Sequence, residues 1–339
     1  MVLSIPLGYF AGIGTCSKKG ILIKGSNYLD GLNNIDTIVF DKTGTLTKGI
    51  FTVSKIVSVS ELKEEEIIKY IATCETFSNH PIAKSITGYY KKVIDQQMVK
   101  KHSEISGKGI KASINDQEVL VGNYKLLDKN NIKYKVPKEI GTIIYLAMND
   151  EYKGYVIVAD ELKTDSKKTI SELKKIGVKN IIMLTGDNNL IAKQMARELN
   201  LTHAYGELLP EDKVDILKEI KETNNQGNVI FVGDGINDGP ALATIDIAIS
   251  MSSGSDLAIE AADIALMTSE PAKIIEAINI AKQTRKIVVQ NIIFAIAIKV
   301  IFLILSAFGY TNMWQAVFSD VGVSSIAVLN ATRIMKLKK

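Results

Sequence analysis

Cysteine is scarce in this sequence: the two thiols in 339 residues, Cys16 and Cys74, lie far apart and form neither a CxxC pair nor a disulfide framework. A disulfide-stapled secreted scaffold is excluded, and a reducing compartment fits best. A dense basic stripe is also lacking, because the lysines are scattered among Asp and Glu and the formal charge is only +4. Nucleic acid is therefore a poor choice of partner. No internal repeat, Pro-rich linker or low-complexity tract is present. The opening stretch MVLSIPLGYFAGIG has no basic leader and no small-residue cleavage site, so it does not read as a signal peptide. It reads as the tail of a membrane helix whose beginning is absent.

The chain is long enough for two or three domains and more than one buried core. Its 46% hydrophobic and 23% charged content is near the globular average, so any membrane part must be local. Residues 287–308, IVVQNIIFAIAIKVIFLILSAF, form a nearly unbroken apolar run of about 22 residues, enough to cross a ~30 Å hydrocarbon core as a helix. Residues 314–335 are less apolar, begin with Trp314 and follow a short link, so the two runs predict a helical hairpin. Lys282, Arg285 and Lys286 precede it, and Arg333, Lys336, Lys338 and Lys339 follow it. The positive-inside rule places both outer ends in the cytoplasm, and Lys18, Lys19 and Lys24 say the same of the N-terminal stretch.

Between the membrane pieces lies the soluble chemistry. Residues 37–40, 180–184, 228–232 and 246–249 read as short buried strands. The first three run at once into the polar clusters DKTGT, TGDN and GDGIND, and helical patterns at 187–199 and 211–222 alternate with them. This is the pattern of a parallel α/β sheet, whose ligands bind beyond the carboxyl ends of the strands. Asp41, Thr185, Asp187, Asp234 and Asp238 are expected to converge there. Residues 49–150 carry their own signals, an acidic helix start at 60–66, a helix after Pro81 and Gly-punctuated strands, and their length suits an inserted domain.

Asp41-Lys42-Thr43-Gly44-Thr45-Leu46-Thr47 is the most informative stretch. A carboxylate at the end of a buried strand, followed by a tight Gly- and hydroxyl-rich loop, can attack phosphorus while backbone N–H groups hold the phosphoryl oxygens. A lone Asp-Lys-Thr would more often be a polar turn; the full string leaves that reading little room. DKTGTLT resembles the phosphorylation signature of P-type ATPases, ion pumps with a haloacid-dehalogenase-like catalytic domain. Thr185-Gly186-Asp187 and Lys213 resemble that family's phosphate clamp, a hydroxyl and a fixed positive charge against the phosphate. Asp234 and Asp238 offer hard oxygen ligands for Mg²⁺, and Asn237 can donate to the phosphoryl group. The resemblance adds Asp41 and Thr43 to the Mg²⁺ set. Phosphatases of this fold usually carry a second aspartate where this chain has Thr43, so an aspartyl phosphate is expected to persist; a free-standing phosphatase stays as an alternative.

In the insert, Glu75 and Ser78-Asn79-His80-Pro81, followed by Gly107-Lys108-Gly109 and Gly122-Asn123, resemble the nucleotide-binding signature of the heavy-metal class. The resemblance makes Glu75, His80, Pro81, Gly107, Gly109, Gly122 and Asn123 the expected ATP contacts. In the hairpin, Asn291, Lys299, Asp320 and Gly322 are polar or small residues at membrane depth, where a charge is costly and rarely kept without a partner. Lys299 and Asp320 either snorkel to an interface or pair across the hairpin. The pair with Gly322 resembles the zinc/cadmium/lead subgroup of heavy-metal P-type ATPases, which implies a transported-metal site for Zn²⁺ or Cd²⁺. Copper pumps would offer softer Met, Tyr or Asn donors here.

The expected fold class is therefore α/β: a haloacid-dehalogenase-like parallel-sheet phosphorylation domain with an inserted α+β nucleotide-binding domain and a C-terminal transmembrane hairpin. The expected divisions are a membrane-helix remnant and connector at 1–35, phosphorylation domain at 36–48 and 151–280, nucleotide-binding domain at 49–150 and hairpin at 281–339. The resemblance covers essentially the whole chain, but the family's actuator Thr-Gly-Glu loop, earlier membrane helices and Cys-Pro-Cys metal site are not in it, and Gly239 stands where the family usually has alanine. ATP, Mg²⁺, a divalent heavy metal, the lipid bilayer and, if the pump is split, its N-terminal half are the expected cofactors and partners, in the plasma membrane with cytoplasmic catalytic domains. A non-catalytic nucleotide-binding fragment is the alternative from another class.

Overall fold

The computed structural model describes residues 4–78, 80–137, 141–224, 226–234, 239–251, 256–310 and 312–336. Thirteen strands occur among them: β1 (Ile21–Ile23), β2 (Ile35–Asp41), β3 (Thr47–Ser58), β4 (Val99–Ile105), β5 (Gly109–Ile114), β6 (Gln117–Gly122), β7 (Thr142–Met148), β8 (Glu151–Leu162), β9 (Asn180–Leu184), β10 (His203–Tyr205), β11 (Asn228–Gly233), β12 (Ile247–Ser250) and β13 (Ile264–Leu266). They divide between two compact units, Met1–Leu46 with Lys163–Lys339, and Thr47–Leu162. The insert is thus wider than the 49–150 read from sequence. Its first and last strands, β3 and β8, pair antiparallel from Thr47↔Leu162 to Ser58↔Gly154, so both strands belong whole to one sheet.

The first unit holds a seven-stranded sheet in the order β1-β13-β12-β11-β2-β9-β10. All neighbours run parallel except the β1–β13 pair. The four strands expected from sequence are β2, β9, β11 and β12, and β2 lies centrally between β11 and β9. Parallel strands covered on both faces need continuous apolar runs, and Ile38, Val39 and Phe40 of β2 are fully buried. The connecting helices are locally specified. Asn188 Oδ1 accepts from the N–H groups of Leu190 and Ile191 and starts Asn189–Leu199, which ends on Asn200 at φ +56. Pro210 occupies the first position of Pro210–Thr223, where a missing N–H costs nothing.

The second unit is a six-stranded antiparallel sheet, β3-β8-β7-β6-β5-β4. On one face the helices Glu64–Glu75 and Pro81–Tyr90 bury Ile67, Ile71 and Ile86 against Val121, Leu146 and Val156. On the other, Leu126 and Leu127 of the short helix Tyr124–Lys129 pack with Leu120, Tyr145 and Ile157. Alternate residues of each strand therefore serve opposite cores. The β5–β6 and β7–β8 hairpins turn on Asn115-Asp116 and Asn149-Asp150, all four at φ between +50 and +63, the left-handed turn that matches strand twist.

The helix Ala272–Ala307 is 36 residues long, and it is the one helix among the described residues long and apolar enough to cross a membrane. It starts well before the apolar run because its first half is core: Ile274, Ala277, Ile278 and Ala281 are buried, whereas Ile293, Val300 and Leu303 are exposed. The second expected span is not one regular helix. It comprises Met313–Val317, a π turn at Phe318–Gly322, Val323–Ala331 and a 3₁₀ turn at Thr332–Lys336. Asn291 ties the two spans together: its Nδ2 donates to the Ala327 carbonyl at 2.9 Å and its Oδ1 accepts from Asn330 Nδ2 at 2.8 Å. Asn291→Leu removes both bonds and orphans an amide and a carbonyl, an expected loss of about 1–2 kcal/mol. Denaturant unfolding in detergent measures it, and unchanged stability would make Asn291 a bystander.

Candidate active site

Asp41 ends β2, where the chain leaves the sheet at its carboxyl edge. Its side chain is 8% exposed, and Lys213 Nζ, from the first turn of Pro210–Thr223, donates to Oδ1 at 2.6 Å. The loop after Asp41 turns back sharply because Gly44 adopts φ +72, a conformation that costs a residue with a Cβ. A Cβ there would also lie 2.6 Å from Asp234 Oδ2, so the loop rests directly on the carboxylate that follows β11. The far side of the loop is anchored by residues no motif announced. Lys163 Nζ donates to the Gly44 carbonyl at 2.5 Å, and Ser166 Oγ donates to the Leu46 carbonyl at 2.7 Å.

The loop after β9 is held on the other side. The Thr185 N–H donates to the Tyr205 carbonyl of edge strand β10 at 3.0 Å, and Thr185 Oγ1 accepts from the Asp187 N–H at 3.1 Å. Asp187 forms an ion pair with Lys42, which is almost wholly buried. Lys42 thus fastens the Asp41 loop to the Thr185-Gly186-Asp187 loop. It stands inside the DKTGT string, yet sequence alone gave it no role. The structure brings Asp41, Thr43, Thr185, Gly186, Asp187, Lys213 and Asp234 to one edge of the sheet, as the strand-end rule requires. Asn237 and Asp238 lie outside the described residues. A Cβ on Gly239 would meet open space, so that departure from the family pattern is sterically neutral.

Mg²⁺ commonly takes one or two carboxylates and fills its octahedron with water and substrate phosphate. Asp41 and Asp234 offer hard oxygens on either side of the Gly44 turn, so the donor set fits that ion. Lys213 and Lys42 add positive charge, which suits a site that must receive a phosphoryl group.

In the second unit, Glu75 is the last residue of Glu64–Glu75 and is 9% exposed. Burial, and then the negative charge of Glu104 on β4, pushes its carboxyl up to about 7. The neighbouring Cys74 thiol is pushed up to about 12 by burial and by Glu75, so it is no nucleophile at neutral pH. His80 caps the next helix, its Nδ1 accepting from the Ile82 N–H at 3.2 Å, with Pro81 in the first helical position. The Phe77 ring lies 4.9 Å from that of His102 on β4, tilted by 45°. Asn123 Nδ2 donates to the Gly107 carbonyl at 2.9 Å while its Oδ1 starts Tyr124–Lys129. Gly109 and Gly122 face each other across β5 and β6. A Cβ on Gly109 would come 2.2 Å from the Val121 carbonyl oxygen, and one on Gly122 would come 2.2 Å from that of Lys108. Close strand pairing therefore already demands both glycines.

Lys299 and Asp320 meet at 3.0 Å between the long helix and the π turn, a local irregularity that also contains Gly322. A Cβ on Gly322 would lie 2.6 Å from the Phe318 ring, so glycine lets the turn close on that ring.

A model for haloacid dehalogenase-like hydrolases matches residues 35–246. The chain is 47% identical over 337 residues to a zinc-transporting ATPase of Synechocystis sp., covering 99% of this chain and 47% of that protein. It is 48% identical over 340 residues to a cadmium, zinc and cobalt-transporting ATPase of Bacillus subtilis, covering 100% and 48%. The crystal structure of a zinc-transporting PIB-type ATPase in the E2.Pi state superposes with a TM-score of 0.84 at 32% identity, over 98% of this chain and 55% of that one. The chain spans about half the length of the curated relatives it matches. With an aspartate at the end of the central strand, its lysine clamp and the DKTGTLT loop closed on a second carboxylate, the chain belongs to the haloacid dehalogenase-like hydrolases, and over its whole length it is similar to metal-transporting P-type ATPases.

Proposed function

We propose that this chain is the ATP-using portion of a pump that exports a heavy-metal dication, Zn²⁺ or Cd²⁺, through a phosphorylated Asp41. The observation that carries the reading is the Asp41 carboxylate, buried at the end of β2 and held by Lys213 at 2.6 Å beside the Gly44 turn. The unit Thr47–Leu162 takes ATP through Glu75, His80, Gly107, Gly109, Gly122 and Asn123, with Pro81 fixing the His80 segment. Asp41 Oδ attacks the γ-phosphorus, the bond to the bridging oxygen breaks, and ADP leaves with that oxygen. Lys213 and Thr185 hold phosphoryl oxygens, while the Lys42–Asp187 pair keeps the two loops in register. Asp234 and Asp41, with Asp238 and Thr43, would hold Mg²⁺, which would neutralise phosphate charge there. Thr43 stands where an acid would speed hydrolysis, so the aspartyl phosphate survives long enough to drive transport. The long helix and the segments that follow it lie in a membrane, the plasma membrane on this reading, with the seven-stranded sheet and the unit Thr47–Leu162 in the cytoplasm.

Incubation with γ-labelled ATP and Mg²⁺ tests the proposal, and acid-stable, hydroxylamine-sensitive label on Asp41 is the expected result. ATP binding without label would return the chain to a nucleotide-binding fragment. For the cargo, Asp320 supplies an oxygen donor suited to Zn²⁺ or Cd²⁺, and Lys299 neutralises it at rest. Joined to the remaining half of the Bacillus subtilis relative, the chain is expected to hydrolyse ATP in response to Zn²⁺ or Cd²⁺. Asp320→Ala should remove that response while ATP binding persists. A full Zn²⁺ response in the variant, or stimulation by Cu⁺ alone, overturns the metal assignment.

A further inference from the structure

The long helix Ala272–Ala307 starts without a cap of its own. Pro271 precedes it, and a proline side chain has no atom that can accept a hydrogen bond from the first turn. The acceptor comes from 107 positions earlier: Asp165 Oδ2 accepts from the Ala272 N–H at 2.8 Å. Asp165 itself stands at the start of Ser166–Lys175, where an aspartate ordinarily caps its own helix with its side chain. It makes no such bond. Its backbone carbonyl starts that helix, accepting from the Thr169 N–H at 2.8 Å, while its carboxylate starts the other. At the far end Lys282 Nζ of the long helix donates to the Ile176 carbonyl at 3.5 Å, so Ser166–Lys175 is tied to the long helix at both ends.

The residues beside Asp165 hold a different partner. Lys163 and Ser166 close a tight turn, the Ser166 N–H donating to the Lys163 carbonyl at 3.1 Å. The same two residues hold the loop after Asp41. Lys163 donates from Nζ to the Gly44 carbonyl and from its N–H to that of Leu46, which also accepts from Ser166 Oγ. Leu46 is the last residue before the insert Thr47–Leu162, and Lys163 is the first after it. The turn is thus the foot on which the chain returns from the insert. Asp165 fastens that foot to a helix whose first turns, with Ile274, Ala277 and Ile278, are buried core.

We propose that Asp165 is a positioning residue for phosphoryl transfer: by bonding the turn Lys163–Ser166 to the first N–H of the long helix, it fixes Gly44 and Leu46, and with them the Asp41 loop. This rests on the reading of Asp41 as the residue that takes the phosphoryl group. Asp165 acts through Lys163 and Ser166, not by touching the phosphate. In-line attack needs the reacting atoms ~3–3.5 Å apart and aligned, and a displacement of about 1 Å can lower the rate by as much as ~100-fold. ATP affinity does not depend on that alignment, because the proposed nucleotide contacts lie in the insert. Losing Asp165 should therefore slow the transfer step and leave ATP binding alone.

Single-turnover labelling of the full chain in detergent, with saturating γ-labelled ATP and Mg²⁺, measures the transfer step, and ATP affinity is measured separately without Mg²⁺. Asp165→Ala is expected to slow labelling about 10-fold or more, with the dissociation constant for ATP within about 2-fold of the wild type. Asp165→Asn keeps an oxygen that accepts the Ala272 N–H and should label within about 3-fold of the wild-type rate. Asp165→Ser can still cap Ser166–Lys175, but its oxygen is one bond closer to the backbone and retreats from Ala272. It should be as slow as Asp165→Ala. Rate and labelled fraction separate positioning from support of the fold, since a partly unfolded preparation labels fewer molecules at the normal rate. A wild-type rate in Asp165→Ala, whether or not its labelled fraction falls, overturns the proposal. So does an Asp165→Asn chain as slow as Asp165→Ala, or an ATP affinity that falls in step with the rate. A wild-type chain that binds ATP and takes no label instead overturns the Asp41 reading beneath it.

Discussion

Asp41→Asn is expected to abolish labelling by γ-labelled ATP, a fall on the order of 10³-fold or more, because the amide that replaces the carboxylate is no nucleophile. The substitution keeps the shape of the side chain and an oxygen that can still accept from Lys213. Lys213 loses only the charge of its partner, at a cost of about 1–3 kcal/mol, because the hydrogen bond itself can persist. ATP binding by the other unit should be retained, since none of its expected contacts lies in this site. Thermal unfolding measured alongside the labelling separates lost chemistry from lost structure. Label persisting on a folded Asp41→Asn chain would mean that another residue receives the phosphoryl group.

Gly109→Ala is expected to have the largest structural effect of any single methyl addition considered for the second unit. Gly109 sits at φ +138, a region nearly closed to other residues, and the added Cβ would overlap the Val121 carbonyl oxygen and the Gly122 Cα. Backbone offers no rotamer to move aside. The strain and the forced separation of β5 from β6 together amount to roughly 2–6 kcal/mol. ATP affinity should fall with it, and chemical denaturation should show the unit melting early. If affinity falls while unfolding is unchanged, Gly109 acts by touching nucleotide. The expected joint loss would show that its first duty is to the sheet.

The central strands were legible in sequence because parallel strands covered on both faces must be continuously apolar, and 37–40, 180–184, 228–232 and 246–249 are short apolar runs that stop at polar clusters. β1, β10 and β13 were not legible. Each is three residues long and takes its conformation from a neighbour, as β10 does from β9. The limits of the insert were missed for a related reason. Residues 151–162 read equally well as a strand of either sheet, and only pairing with β3 assigns them. The break at Phe318–Gly322 was likewise hidden, since composition cannot tell a regular helix from one interrupted by a π turn.

Glu75, Asp41, Lys213 and Asp234 could be named from the linear chain because phosphoryl chemistry and nucleotide recognition use fixed residue types in fixed short strings. Those strings determined the fold class, the proposed nucleophile and the family resemblance without any coordinates. The partners of those residues belong to the tertiary structure alone. Lys163 reaches Gly44 across 119 positions and Lys42 reaches Asp187 across 145, and for Lys299 and Asp320 the fold decides between the two readings in favour of the pair. Glu104, 29 positions beyond Glu75 by their numbers, faces it only because β4 passes the end of its helix. Local chemistry is written in neighbouring residues, whereas the energy of a buried charge depends on which distant groups the packed chain places around it.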